Sequence, residues 1–91
     1  MLFEWDDKKA KENLVKHKVA FDFAVRVFDD EYHITWLDNR FKYEEERFIT
    51  LGLIDGRLLT VAHTQRGESI RLISARKATR KENKIYDADY L

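Results

Sequence analysis

The sequence predicts an α+β domain in which two N-terminal helices precede a four-stranded antiparallel sheet and a C-terminal helix. Three observations lead there. Apolar residues recur at helical spacing in the first 28 residues, they alternate between about residues 32 and 75, and Asp55-Gly56 separates two of the alternating runs as a two-residue hairpin turn. Ninety-one residues bury one modest core and no more, so residues 1–91 are expected to form a single domain. Hydrophobic residues at 44% supply that core and charged residues at 37% cover it, the composition of a chain that folds.

Phe3-Glu4-Trp5 is a short extended entry. Asp6 then suits the N-cap of a helix from Asp7 to about Lys16, with Ala10 and Leu14 as an i, i+4 apolar pair. Its acidic start and its basic end at Lys16, His17 and Lys18 both complement the helix dipole. A second helix is expected from Asp22 to Phe28, with Phe23, Ala24, Val27 and Phe28 on one face. The alternating runs Tyr32–Leu37, Arg47–Ile54, Leu58–Thr64 and Ser69–Ala75 make the four strands. After Thr79 a polar helix follows, with Ala78, Glu82 and Tyr86 along one stripe.

The turns set an expected register. With Asp55 and Gly56 as the turn, Ile54 faces Arg57, Phe48 faces His63 and Arg47 faces Thr64; at the next hairpin Thr64 is expected opposite Ser69, His63 opposite Ile70 and Ala62 opposite Arg71. Side chains alternate by two, so Arg47, Thr64, Ser69 and Arg71 share one sheet face, while Phe48, Val61, His63, Ile70 and Leu72 line the other beneath the N-terminal helices.

Cysteine is absent, which removes disulfides and thiolate metal sites and leaves nothing that demands an oxidising compartment. The N-terminus meets acid at Glu4 and has no apolar leader, and no apolar run approaches a membrane span, so a cytoplasmic protein without a membrane partner is expected. Formal net charge is zero, yet it is polarised: residues 1–56 carry 9 basic and 13 acidic side chains, residues 57–91 carry 8 and 4. A salt-bridged solvated surface and a phosphate-binding face account for that asymmetry equally well.

The segment from His63 to Arg76 concentrates an imidazole, the guanidinium groups of Arg66, Arg71 and Arg76, and several hydroxyls around one hairpin. RNA cleavage needs such groups: the attacking 2′-hydroxyl must lose a proton, the leaving 5′-oxygen must gain one, and guanidinium forks neutralise charge growing on phosphate. Spacing alone favours the plainer account, in which these arginines are strand and turn charges in solvent. His63 divides in the same way between a hydrogen-bonded core histidine and a base at a cleft. Metal readings are weak, because the histidines lack close ligand spacing and the acidic runs Asp29-Asp30-Glu31 and Glu44-Glu45-Glu46 lack a calcium-loop pattern. The second run could meet a basic partner segment.

Phe3-Glu4-Trp5-Asp6, Lys16-His17, Val27-Phe28-Asp29, Glu45-Glu46-Arg47, Gly52, Asp55-Gly56-Arg57, His63-Thr64-Gln65-Arg66-Gly67 and Arg71 through Thr79 together resemble the BrnT toxins over nearly the whole chain. The His-Thr-x-Arg-Gly turn and the Ile-Ser-Ala-Arg-x-Ala strand exit are the specific stretches. The resemblance implies a RelE-like toxin of a type II toxin–antitoxin system, a metal-independent endoribonuclease without cofactor that arrests growth by cutting RNA. It implies a BrnA-like ribbon-helix-helix antitoxin as partner and operator DNA bound through that antitoxin. Carried over by position, His63, Arg71, Arg76 and Tyr86 are the candidate catalytic residues, and Arg47, Arg66 and Arg80 the RNA-binding ones. Two positions depart from the family pattern: Lys18 stands where glycine is usual at a helix end, and Asp30 where proline commonly follows the aspartate. A non-catalytic RNA-binding module and a co-repressor acting with its antitoxin are the alternative functions.

Overall fold

The computed structural model describes residues 1–40, 42 and 44–90, and of residues 89 and 90 the backbone only. Its elements are β1 (Leu2–Glu4), α1 (Asp7–His17), α2 (Phe21–Ala24), a 3₁₀ helix (Val25–Asp29), β2 (Ile34–Leu37), β3 (Phe48–Ile54), β4 (Arg57–Arg66), β5 (Ser69–Lys77) and α3 (Arg80–Tyr90). The strands form one mixed sheet in the order β1-β5-β4-β3-β2. This corrects the expected four antiparallel strands. Leu2, Phe3 and Glu4 pair in parallel with Ser69, Ile70 and Arg71, and such a short strand draws its ladder from a partner at the far end of the chain, with no local pattern to announce it.

The helices begin and end as their residues dictate. Asp6 caps α1 by accepting from the Lys9 backbone N–H at 3.0 Å, and Lys18 closes it in the left-handed region at φ 60°, donating its N–H to the Leu14 carbonyl. A lysine there costs on the order of 1 kcal/mol relative to glycine. The expected second helix, Asp22 to Phe28, is four residues of α-helix followed by a 3₁₀ segment. Phe21, Ala24 and Val27 are the buried positions, and their spacing of three aligns on a helix with three residues per turn, so the tighter winding keeps all three inward.

These helical segments cover one sheet face, where Phe21, Ala24 and Val27 pack with Ile54, Leu59, Val61, Leu72 and Ala75. The approach is close at Gly52, where a Cβ would lie 2.6 Å from the Val27 Cβ. Helix α3 crosses part of the opposite face, burying Ala78 and Tyr86 against Leu51 and Leu58 with Ile34 and Trp36 beside them. The stripe expected on this helix is therefore the one that faces the sheet. Buried Asn13 on α1 seals β5 beyond the end of β1: its amide donates to the Ala75 carbonyl at 2.8 Å and accepts from the Ala75 N–H at 3.0 Å. An unpaired strand edge is thereby closed.

The β3–β4 register is the expected one, from Ile54 opposite Arg57 to Phe48 opposite His63. The β4–β5 register differs by two residues: Arg66, not Thr64, lies opposite Ser69, and Thr64 lies opposite Arg71. The loop is Gly67-Glu68 alone, with Gly67 at φ 57°, the positive value a type II′ turn requires at its first position. A shift of two preserves the faces. Further along, His63 pairs with Leu72 but Ala62 with Ser74, so Ile73 is an extra residue on β5. That bulge reverses the alternation. Arg71 and Arg76, five positions apart, would otherwise point to opposite sides; with it both lie on the α3 side, opposite Thr64 and Thr60.

Candidate active site

Helix α3 packs over Leu51 and Leu58, and beyond it on the same sheet face a polar row crosses the strands, with Thr64 at its centre only 2% exposed. Glu4 on β1 is paired with Arg71 on β5 and Arg71 with Thr64 on β4, while Arg47 immediately precedes Phe48, the last residue of the β3–β4 ladder. The Thr64 hydroxyl donates to the Glu46 carbonyl at 2.6 Å, and the Arg47 carbonyl accepts from the Asp38 N–H at 2.7 Å, so the segment entering β3 is clamped on both sides. An Arg71 Nη1–H donates to Glu4 Oε2 at 2.7 Å. The guanidinium is 27% exposed and the carboxylate 37%. A guanidinium has five N–H donors, and among the described residues one of those on Arg71 is taken, by Glu4. Arg66 lies two positions beyond Thr64 on the same face, 3.7 Å from Glu45, and shares with Arg47 and Lys42 the wall of a 510 Å³ cavity.

Arg76 occupies the same face but is engaged differently. Its guanidinium forks onto both oxygens of Glu82 at 2.8 and 3.0 Å. Glu82 also accepts from the Thr60 hydroxyl and from the Thr79 backbone N–H, both at 2.9 Å, while Thr79 Oγ1 accepts from the Glu82 N–H at 3.1 Å. This is a capping box built over an ion pair. Burial pushes the Glu82 carboxyl up, but the Arg76 fork, the Thr79 N–H and the Thr60 hydroxyl outweigh it and hold it at about 2. The group anchors α3 to the sheet.

His63 is 6% exposed on the helix-covered side, between the rings of Phe28 (5.1 Å) and Phe48 (5.9 Å). Its Nε2 lies 2.7 Å from the Thr50 hydroxyl, which in turn lies 2.7 Å from that of Thr35. Burial lowers its pKa to about 4, so the ring is neutral near pH 7, separated from the arginine row by the thickness of the sheet. Tyr86 is 7% exposed, and its hydroxyl donates to Asp30 at 2.5 Å. Burial pushes the Asp30 carboxyl up, but the bond from Tyr86 and the backbone N–H groups of Leu53 and Tyr32 leave it lowered overall. Arg80 is exposed in the first turn of α3.

Of the residues singled out from the sequence, Arg66 and Arg71 lie at one end of one face, and Arg47 shares a cavity wall with Arg66. Arg76 joins that face through the bulge, Arg80 stands beyond it, and His63 and Tyr86 are built into the two cores. Sequence reasoning missed Glu4, whose position depends on the parallel pairing of β1, and Glu82, whose Thr79-x-x-Glu82 spacing is the signature of a capping box. Among the described residues no group of three or more His, Asp or Glu side chains is placed to hold a metal ion. No described helix is long and apolar enough to cross a membrane. A family model described as the ribonuclease toxin, BrnT, of type II toxin-antitoxin systems matches residues 5–82. No curated protein matches the chain.

Proposed function

The chain belongs to the BrnT family of type II toxin–antitoxin ribonuclease toxins, and from that premise we propose that it cleaves RNA without a metal ion at the row of Arg47, Thr64, Arg71 and Glu4. Arg71 and Arg47 bind the non-bridging oxygens of the scissile phosphate, and Arg66 and Arg80 hold the RNA backbone to either side. Glu4 takes the proton of the 2′-hydroxyl as its oxygen attacks phosphorus. The bond from phosphorus to the 5′-oxygen breaks, that oxygen takes a proton from solvent water, and Glu4 releases its own proton to solvent. The products are a 2′,3′-cyclic phosphate and a 5′-hydroxyl end.

The observation that carries this reading is the Arg71–Glu4 pair at 2.7 Å, whose two side chains are both partly exposed, 27% and 37%. A carboxylate next to a phosphate-binding guanidinium holds a proton acceptor within reach of the 2′-oxygen, and the guanidinium offsets the charge gained by the phosphate. His63 and Tyr86, first considered for proton transfer, act here as positioning residues: His63 with Thr50 sets β3 against β4, and Tyr86 with Asp30 fixes α3. Arg76 positions α3 through Glu82. Membership of the family implies an antitoxin partner; we take it to be a BrnA-like ribbon-helix-helix protein that carries the complex to operator DNA in the cytoplasm, as the resemblance indicates.

Incubating the purified protein with single-stranded RNA in EDTA tests the proposal. New fragments ending in cyclic phosphate and 5′-hydroxyl are expected. Retention of intact RNA without fragments would instead support the non-catalytic binding module.

A further inference from the structure

A second cationic concavity lies at the hairpin end of the sheet, where the C-terminus of α1, the β3–β4 turn, the end of β5 and the first turn of α3 meet. It has a volume of 440 Å³, and His17, Lys18, Arg57, Lys77 and Asn83 supply its polar lining. No described acidic residue lines it. Among the described residues, the side chains of His17, Lys18 and Lys77 have no ion-pair or hydrogen-bond partner. Among the described residues the ion pairs are all made by arginines, Arg26 with Asp55 and Arg40 with Asp38 for example, and none by a lysine, so what sets this hollow apart is the convergence of its cations with no carboxylate in its wall. The dipole of α1 accounts for Lys16 and His17. It favours Lys18 as well, but it does not account for Arg57 and Lys77 converging from two other segments, nor offset the strain of a side chain at Lys18, whose backbone stands at φ 60°, ψ 29°.

The concavity adjoins a second hollow that runs along β5 toward the strand segment carrying Arg71. A 240 Å³ groove between α1 and β5 is lined by Lys9, Lys16, His17 and Ser74, with Glu12 its one acidic wall residue. His17 belongs to both hollows. β1 stops at Arg71, so from there the outer edge of β5 is flanked first by this groove and then by the Lys18–Lys77 cavity. Along the strand the distance from Arg71 to Lys77 is on the order of 20 Å, the length of a short single-stranded segment rather than of one ion.

We propose that this cavity is a phosphate-binding subsite that holds the backbone of the RNA substrate away from the cleavage row, reached along the Lys9–Lys16 groove. The inference rests on the ribonuclease reading and deepens it. A chain of phosphates suits a line of cations without carboxylate partners, and the groove reaches Ile73 and Ser74, two and three residues along β5 from Arg71.

The test uses a fluorescent single-stranded oligoribonucleotide made uncleavable by 2′-methoxy groups, together with cleavable long RNA and a cleavable dinucleotide. Lys18→Glu combined with Lys77→Glu is expected to weaken oligonucleotide binding about tenfold and to flatten the salt dependence by about 1.4 log units per log unit of salt, since each phosphate contact on a single strand contributes about 0.7. KM for long RNA should rise in parallel while kcat and dinucleotide cleavage stay as in the parent. Lys18→Gly should raise the melting temperature by relieving the backbone and still weaken RNA binding, a pairing of opposite effects that damage to the fold does not produce. A parent protein that cleaves RNA beside variants that bind it undiminished overturns this inference and leaves the ribonuclease reading standing. A parent that neither binds nor cuts RNA overturns both. Undiminished RNA binding with loss of antitoxin binding assigns the cavity to an acidic protein segment and also overturns it.

Discussion

β5 carries two arginine–carboxylate pairs on one face, Arg71 with Glu4 and Arg76 with Glu82, and they differ in how far the carboxylate is satisfied. Glu82 accepts four hydrogen bonds, two from Arg76 and one each from Thr60 and Thr79, under the cover of α3, and is held ionised down to about pH 2. Among the described residues Glu4 accepts one side-chain hydrogen bond, on the edge strand β1, with 37% of its side chain exposed. The same two residue types thus make a rivet in one place and a reactive pair in the other. What separates them is the supply of further donors, because a saturated carboxylate has no capacity left for a substrate proton.

Exchanging the two pairs by mutation should separate rate from stability. The largest effect is expected from Arg71→Ala, which should lower the cleavage rate about a thousandfold, as removal of a transition-state donor does, with the melting temperature nearly unchanged. Growth arrest on expression should be lost with it; persistence of toxicity in this variant contradicts the site. Glu4→Gln keeps the shape and one acceptor oxygen but removes the base, so single-turnover cleavage should fall about a hundredfold. At the other pair Glu82→Gln should cost about 2 kcal/mol in urea unfolding, through the lost Arg76 and Thr79 interactions, and leave cleavage by the folded protein within a few-fold of the parent. A hundredfold loss of rate there would erase the distinction between rivet and reactive pair.

Acid should act on the structural parts first. The folded-state pKa of His63, about 4, lies below the ordinary 6.5, so under pH 6.5 the unfolded chain binds a proton that the folded chain excludes. Stability is complete above pH 6.5 and drains as pH falls toward 4, by about 2 kcal/mol at pH 5. Glu82 adds its own loss only between about 4.5 and 2. Unfolding free energies measured between pH 7.5 and 5 should show this slope, and His63→Gln should flatten it.

Much of the scaffold is legible in the sequence. The Asp55-Gly56 turn sets the β3–β4 register, and alternation alone assigns Arg47, Thr64 and Arg71 to one face and His63 to the apolar one. The site is legible only in part, because its assembly depends on two non-local events. Glu4 reaches Arg71 through a parallel pairing that three residues cannot announce. Arg76 shares the face of Arg71 through a bulge at Ile73, where no glycine or proline marks the irregularity. The register at the Gly67-Glu68 turn is harder to read because Gln65 and Arg66 look like loop residues by composition, yet they continue β4 to its last pair. The second helix is legible as a helix but not in its winding: the apolar face expected from Phe23, Ala24, Val27 and Phe28 gives way to Phe21, Ala24 and Val27, a choice that only packing on the sheet makes.

A double-mutant cycle on cleavage tests the central claim most directly, with single-turnover rates for the parent, Arg71→Ala, Glu4→Gln and the two combined. Groups that act as one unit give strongly non-additive losses, so the double variant should be scarcely slower than Arg71→Ala alone. Losses that simply multiply, or a Glu4→Gln protein as fast as the parent, would show that the two side chains share a sheet face and not a reaction.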